Sequence, residues 1–170
     1  NQELASDQFA EVVKDCLQQI LQDMSDSRAR EGAKMKALIL ERLAEIQSLV
    51  AKVKPLLPEQ VKEYQSRLTA KLQDALNSVD EERVRQELVL FAQRIDVDEE
   101  LTRLTAHVAE VKRILDDNKL AGKRLDFLMQ ELNREANTLG SKSVSVETSQ
   151  ASMSLKVLIE QMREQIQNIE

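Results

Sequence analysis

Apolar residues recur at three- and four-residue spacings along almost the whole chain, and little interrupts them: 170 residues contain only three Gly and two Pro. Strands need a period of two and helices one of about 3.6. The pattern therefore predicts an all-α fold of about seven amphipathic helices. Charged residues make up 32% and aromatics 2%, so the apolar stripes are narrow and a broad core is not expected. Long narrow stripes call for partners, within the chain or beyond it.

Ser6 or Asp7 can cap a first helix carrying Phe9, Val13, Cys16, Ile20 and Met24. A break is expected at Ser25 to Ser27, followed by a long stripe of Met35, Ile39, Leu43, Ile46, Val50 and Val53. Pro55 ends it, and Pro58 suits the first turn of a third helix with Val61, Tyr64, Leu68, Leu72, Ala75 and Val79. These two helices are expected to form a long antiparallel hairpin, with residues 1–79 as scaffold and 80–170 as a C-terminal helical region, or the two as one continuous domain.

In that second region Asp80 starts a helix with Val84, Leu88, Phe91 and Ile95 inward. Asp96 and Glu99 start another, with Leu101, Leu104, Val108, Val111 and Leu115 as its seam. Gly122 and Gly140 bracket the next, which carries Leu125, Leu128, Leu132 and Leu139, with Gly140 expected as a left-handed C-terminal cap. The alternation Ser143-Val144-Ser145-Val146 is too short for a strand and reads as a loop before a last helix with Leu155, Ile159, Met162, Ile166 and Ile169.

Cys16 is the single cysteine, which excludes an intrachain disulfide and a Cys-based metal cluster and fits a reducing compartment. No apolar run approaches the roughly 18 residues of a membrane span, and the first residues lack signal-peptide character. A cytoplasmic protein is expected, and the missing initiator Met suggests a fragment. The net charge of −6 opposes nucleic acid in bulk, yet residues 119–142 carry five basic residues against three acidic ones, a local +2 that permits phosphate contacts.

Chemistry concentrates in two polar stripes. Asp96, Glu100, Arg103 and His107 share one helical face beside an apolar seam, and carboxylates with an imidazole can ligate a divalent ion or act as acid and base. Asp126, Gln130, Asn133 and Asn137 form the second, flanked by Glu131, Arg134 and Glu135; its amides can orient carboxylates, contact bases or satisfy an interface. An exposed ion pair and a structural histidine are the bland reading of the first stripe, and a solvated face that of the second. There is no Gly-rich phosphate loop, paired-Cys motif or serine-nucleophile setting.

The run Arg94-Ile95-Asp96-Val97-Asp98-Glu99-Glu100-Leu101-Thr102-Arg103-Leu104 with His107, and the run Gly122-Lys123-Arg124-Leu125-Asp126-Phe127-Leu128-Met129-Gln130-Glu131-Leu132-Asn133-Arg134-Glu135, resemble the C-terminal region of the YicC-type endoribonucleases. The resemblance extends over roughly residues 28–170, including the ending from Leu158 to Glu170. It implies a metal-dependent endoribonuclease, with Mn²⁺ or Mg²⁺, acting on single-stranded or small regulatory RNA, assembled as a hexameric ring and linked to stress responses. It also implies an N-terminal, partly β-structured domain that this chain lacks.

Carried onto this sequence, the resemblance implies that Glu99 or Glu100, His107, Asp126 and Glu131 gather around the metal, with Glu100, His107, Asp126 and Glu131 catalytic. Arg94, Arg103, Arg124, Arg134, Asn137 and Lys142 are the RNA-binding candidates. The competing classes are a noncatalytic helical interaction or oligomerisation module, and a passive RNA binder, which the few aromatics disfavour.

Overall fold

A computed structural model describes residues 2–75, 85–86, 89–92, 96–117 and 122–167, with side chains of the first stretch from 9 to 71. The helices are α1 (Gln2–Val53), α2 (Leu57–Ala75), α3 (Asp98–Asp116), α4 (Gly122–Lys142) and α5 (Val146–Gln167), with a 3₁₀ turn at Lys54–Leu56. Residues 85–86 and 89–92 are also helical, and no strand occurs among the described residues. The expected all-α class is the observed one. Asp80, Val84, Leu88, Arg94, Ile95, Lys119 and Ile169, for which roles are expected above, lie outside the described residues.

The chain groups into two units, Asn1–Leu38 and Ile39–Glu170. In the first, the apolar stripe of α1 is exposed at Phe9, Val13, Leu17, Ile20 and Met24. In the second, Ile39, Leu43 and Ile46 of α1 join the apolar faces of α3, α4 and α5 in one core. Each such side chain contributes about 1.5–3 kcal/mol on burial.

The break expected at Ser25 to Ser27 does not occur, because α1 runs through it. Neither Gly nor Pro stands there, and Ser and Asp cost only tenths of a kcal/mol in a helix interior, roughly 0.5 each. Good helix formers flank the site, and Gln22 Nε2 donates to Asp26 Oδ1 at 3.1 Å across it.

The hairpin expected at Pro55 is likewise replaced. Val53 (φ −77°, ψ −42°) and Leu57 (φ −58°, ψ −46°) keep right-handed helical dihedrals on either side of the 3₁₀ turn. Proline's fixed φ suits that turn and its missing N–H costs little there, so the chain passes on into α2 without reversing. Among consecutive helices, antiparallel pairing is seen instead for α3 with α4 and for α4 with α5.

The end of α1 lies antiparallel to α3, since Gln47 accepts from Lys112 Nζ at 2.8 Å while Lys54 reaches Asp98 at 3.8 Å. From there α2 meets the α4–α5 junction, where Thr148 Oγ1 donates to Gln60 Oε1 at 2.8 Å. The capping box expected of Asp96 and Glu99 does not form: the N-cap of α3 is Val97, which makes no side-chain cap bond, and Asp96 Oδ1 instead accepts from the Asp98 N–H at 3.1 Å just ahead of the helix. The loop expected over Ser143 to Val146 is observed at Ser143 to Ser145, with Val146 already the first residue of α5.

Gly140 is not the left-handed cap: α4 continues to Lys142, and no described glycine has a positive φ. Its role is close approach. A Cβ at Gly140 would stand 2.6 Å from Ser152 Oγ, which is itself held by a 2.8 Å bond to the Ala136 carbonyl. Gly140→Ala is expected to lower folding stability by about 1–3 kcal/mol. Ser152→Ala is expected to recover part of that loss in the double variant. Denaturant midpoints of the four chains measure both effects.

Candidate functional site

The α3–α4 seam follows from spacing. Glu100, Arg103, His107 and Glu110 stand three, four and three residues apart, on one face of α3. On α4, Arg124, Glu131, Glu135 and Lys142 are seven, four and seven apart. Antiparallel packing sets these two rows against each other as rungs. At one end Lys142 Nζ lies 3.0 Å from Glu100 Oε1 and 2.9 Å from the Asp96 carbonyl. Arg103 follows, with Nε 2.8 Å from Glu135 Oε1 and Nη2 3.3 Å from Glu100 Oε1. At the other end Arg124 Nη2 is 2.6 Å from Glu110 Oε1.

Between these rungs His107, Glu131 and Glu135 each offer one ligand atom, and the three atoms lie within 4.8 Å of one another. Glu100 and Glu135 are only 3% and 4% exposed, and Oε2 of each is buried without a hydrogen-bond partner. Buried carboxylate oxygens ordinarily have a partner, so the orphaned Glu135 Oε2 fits a ligand role. Glu99, Glu100 and Glu135 pair with the cations Arg103 and Lys142, and Glu131 stands with Glu135 and His107, so four carboxylates against two cations leave a formal excess of negative charge suited to a divalent cation.

Electrostatics tighten the seam. The Arg103 pKa is raised, first by its hydrogen bond to Glu135 and then, against a desolvation penalty, by the charges of Glu135, Glu99 and Glu100. Glu110 is pulled down to about 2, chiefly by the hydrogen bond from Arg113, with the charges of Arg113 and Arg124 adding to it and desolvation opposing. Arg113 is raised in turn by the Glu110 bond.

The site candidates divide accordingly. Glu100, Arg103, His107, Glu131 and Lys142 share the seam. Glu99 sits at its rim, 80% exposed and 2.5 Å from Arg103 Nη1. Asp126 belongs to a different face: it accepts from Gln130 Nε2 at 2.9 Å and lies 3.7 Å from Arg163 Nε of α5. The five residues separating Asp126 from Glu131 rotate it roughly 140° around the helix.

Arg124 is at the far end with Glu110, whereas Arg134 and Asn137 are exposed. Asn137 reaches Asn133 at 3.5 Å, so the amide stripe is a surface ladder. Arg94 lies outside the described residues.

Glu135 is the member that the spacing argument leaves out of the ligand set. Its signal is present in the sequence: Glu131 and Glu135 form an i,i+4 pair, and antiparallel pairing of the two apolar seams puts both opposite His107.

A helical bundle with a histidine and two glutamates meeting across one antiparallel helix pair is thus the class that fold and site define. Residues 53–170 match the family described as endoribonuclease YicC-like, C-terminal, and the chain belongs to that family. It is 48% identical over 151 residues to the probable endoribonuclease YicC of Haemophilus influenzae, an alignment covering 89% of this chain and 53% of the relative. It is 31% identical over 150 residues to the protein of the same description from Clostridioides difficile, covering 86% and 51%. The chain therefore spans about half the length of the curated relatives it matches. The whole α3–α4 seam lies inside the family match.

The depressed Glu110 pKa sets a pH window. The charged rung contributes its full stability above the ordinary value of 4.5 and loses it as pH falls from there toward about 2. Wild type is expected to exceed Glu110→Gln in stability at neutral pH, with the gap closing through that acid range. Denaturant unfolding across a pH series measures it.

Proposed function

We propose that this chain carries the catalytic seam of a divalent-metal-dependent endoribonuclease, with His107, Glu131 and Glu135 as the protein ligands. The observation that carries this reading is the convergence of one imidazole and two carboxylates beside the orphaned Glu135 Oε2, inside the family match. Two oxygen donors with one imidazole suit Mn²⁺ better than Mg²⁺, which prefers oxygen alone and keeps much of its water. When bound, the cation supplies Lewis acidity at a phosphate oxygen and favours ionisation of an attacking water or 2′-hydroxyl.

The chain's own residues do the positioning. Arg103 fixes Glu135 through Oε1, leaving Oε2 for ligation, and Lys142 with Arg103 orients Glu100 at the edge of the cluster. Glu99 and Glu100 then tune charge, and Asp126 steadies the α4–α5 face through Arg163. Arg134 and Asn137, both exposed on α4, and Lys142 are the proposed phosphate and sugar contacts.

Single-stranded or small regulatory RNA as substrate, a hexameric homo-oligomer, cytoplasmic location and a role in stress responses complete the proposal from the family likeness. No helix among the described residues is long and apolar enough to cross a membrane. A noncatalytic assembly module is the second reading, favoured by the exposed α1 stripe from Phe9 to Met24.

Mn²⁺ is expected to raise the melting temperature of wild type and to leave that of Glu135→Gln unmoved. Cleavage of a labelled single-stranded RNA is expected only with Mn²⁺ present, and about 100-fold slower in folded His107→Ala or Glu135→Gln. Undiminished cutting in chelator, or by these variants, removes the metal reading. Metal-independent self-association in sedimentation, with neither metal binding nor cleavage, selects the assembly module.

A further inference from the structure

Where α2 meets the α4–α5 junction, a cleft of about 730 Å³ opens beside the seam. That volume lies in the range that holds a mononucleotide-sized ligand. The whole sequence has three Phe and one Tyr, and two of these four rings line this one cleft. Tyr64 and Phe91 stack there, with centroids 4.6 Å apart and planes 12° from parallel. Both rings are half-buried, unlike exposed Phe9 and Phe127.

The remaining wall is hydroxyl-rich. Ser143 Oγ donates to the Ser145 carbonyl at 2.9 Å and so accepts from Ser149 Oγ, also at 2.9 Å, while Ser141 Oγ donates to the Thr138 carbonyl at 3.0 Å. With their protons committed, these hydroxyls face a ligand as acceptors. A wall of acceptors suits base amino groups and the ribose 2′-hydroxyl.

Lys142 joins the cleft to the cluster: it lines the cleft while its Nζ reaches Glu100. Two helical turns separate it from Glu135, about 10 Å along α4, a short step along a single strand.

We infer that this cleft is a base-binding subsite for single-stranded RNA, in which one unstacked base extends the Tyr64–Phe91 stack while the strand runs past Lys142 to the His107–Glu131–Glu135 cluster. The inference rests on the proposed RNA substrate and adds a residue-level account of how the strand is held. Stacking on aromatic rings tolerates any base, and the acceptor wall then favours amino-bearing adenine over uracil.

Tyr64 is the single tyrosine and there is no tryptophan, so its ring resonances report on this cleft alone. The test titrates the full chain with oligo(A) and with an abasic ribose-phosphate strand of equal length and charge, at fixed salt and without metal. Oligo(A) is expected to shift the Tyr64 ring resonances and the abasic strand to leave them in place. Tyr64→Ala is expected to weaken oligo(A) binding about tenfold, with Tyr64→Phe restoring it and Phe127→Ala leaving it unchanged.

Equal binding of the two strands, or wild-type resonances unmoved at saturating oligo(A), overturns the subsite while leaving RNA binding intact. Absence of binding to either strand overturns the subsite together with the RNA reading beneath it. Because the resonances are read on wild type, the result does not depend on the variants folding.

Discussion

The α3–α4 pairing is the constraint on which the site depends, and it is set by apolar register before any polar group is placed. Leu101, Leu104, Val108 and Val111 on α3 close on Leu125, Leu128, Leu132 and Leu139 of α4 within the core. Packed interiors admit few alternative registers. Once the apolar rows interdigitate, the row beside them has no freedom: Glu100 must meet Lys142, Arg103 must meet Glu135, and His107 must meet Glu131 and Glu135.

This order of causes explains what the sequence reveals. The inward faces of α3, α4 and α5 are legible because a 3.6-residue period leaves one face for the core, and Leu155, Ile159, Met162 and Ile166 are buried as their spacing requires. The polar stripe Glu100, Arg103 and His107 is legible as a stripe for the same reason. What faces it is not, because the partner row depends on a register between helices that periodicity within one helix leaves open. Hence Asp126, attractive by motif, sits on another face, and Glu135, beside Glu131, completes the cluster.

The misplaced boundaries share a cause. Ser25 to Ser27, Pro55 and Gly140 are residues whose local meaning depends on context, and each is absorbed by a helix. Serines that cap a helix at its start cost little in its middle when Met, Arg and Ala flank them. A proline accepted in a 3₁₀ turn keeps the helical direction, and a glycine near a helix end serves here to bring a neighbouring helix close. Only tertiary packing distinguishes these uses.

Stability alone gives poor reason to keep two buried glutamates in such a seam. Desolvation of buried ion pairs commonly cancels their attraction, and well-packed apolar side chains of similar volume often serve a fold equally well. The charges of Glu100 and Glu135 are nevertheless held in place by two cations that contact only part of the available oxygens, leaving Oε2 of each without a partner. A purely structural network gains nothing from that incompleteness, since each orphaned oxygen costs free energy. A seam that must receive a cation and release it gains from both features. On the proposed metal reading, the paired oxygens would fix the geometry of the two glutamates, and Glu135 Oε2 would be left to the cation.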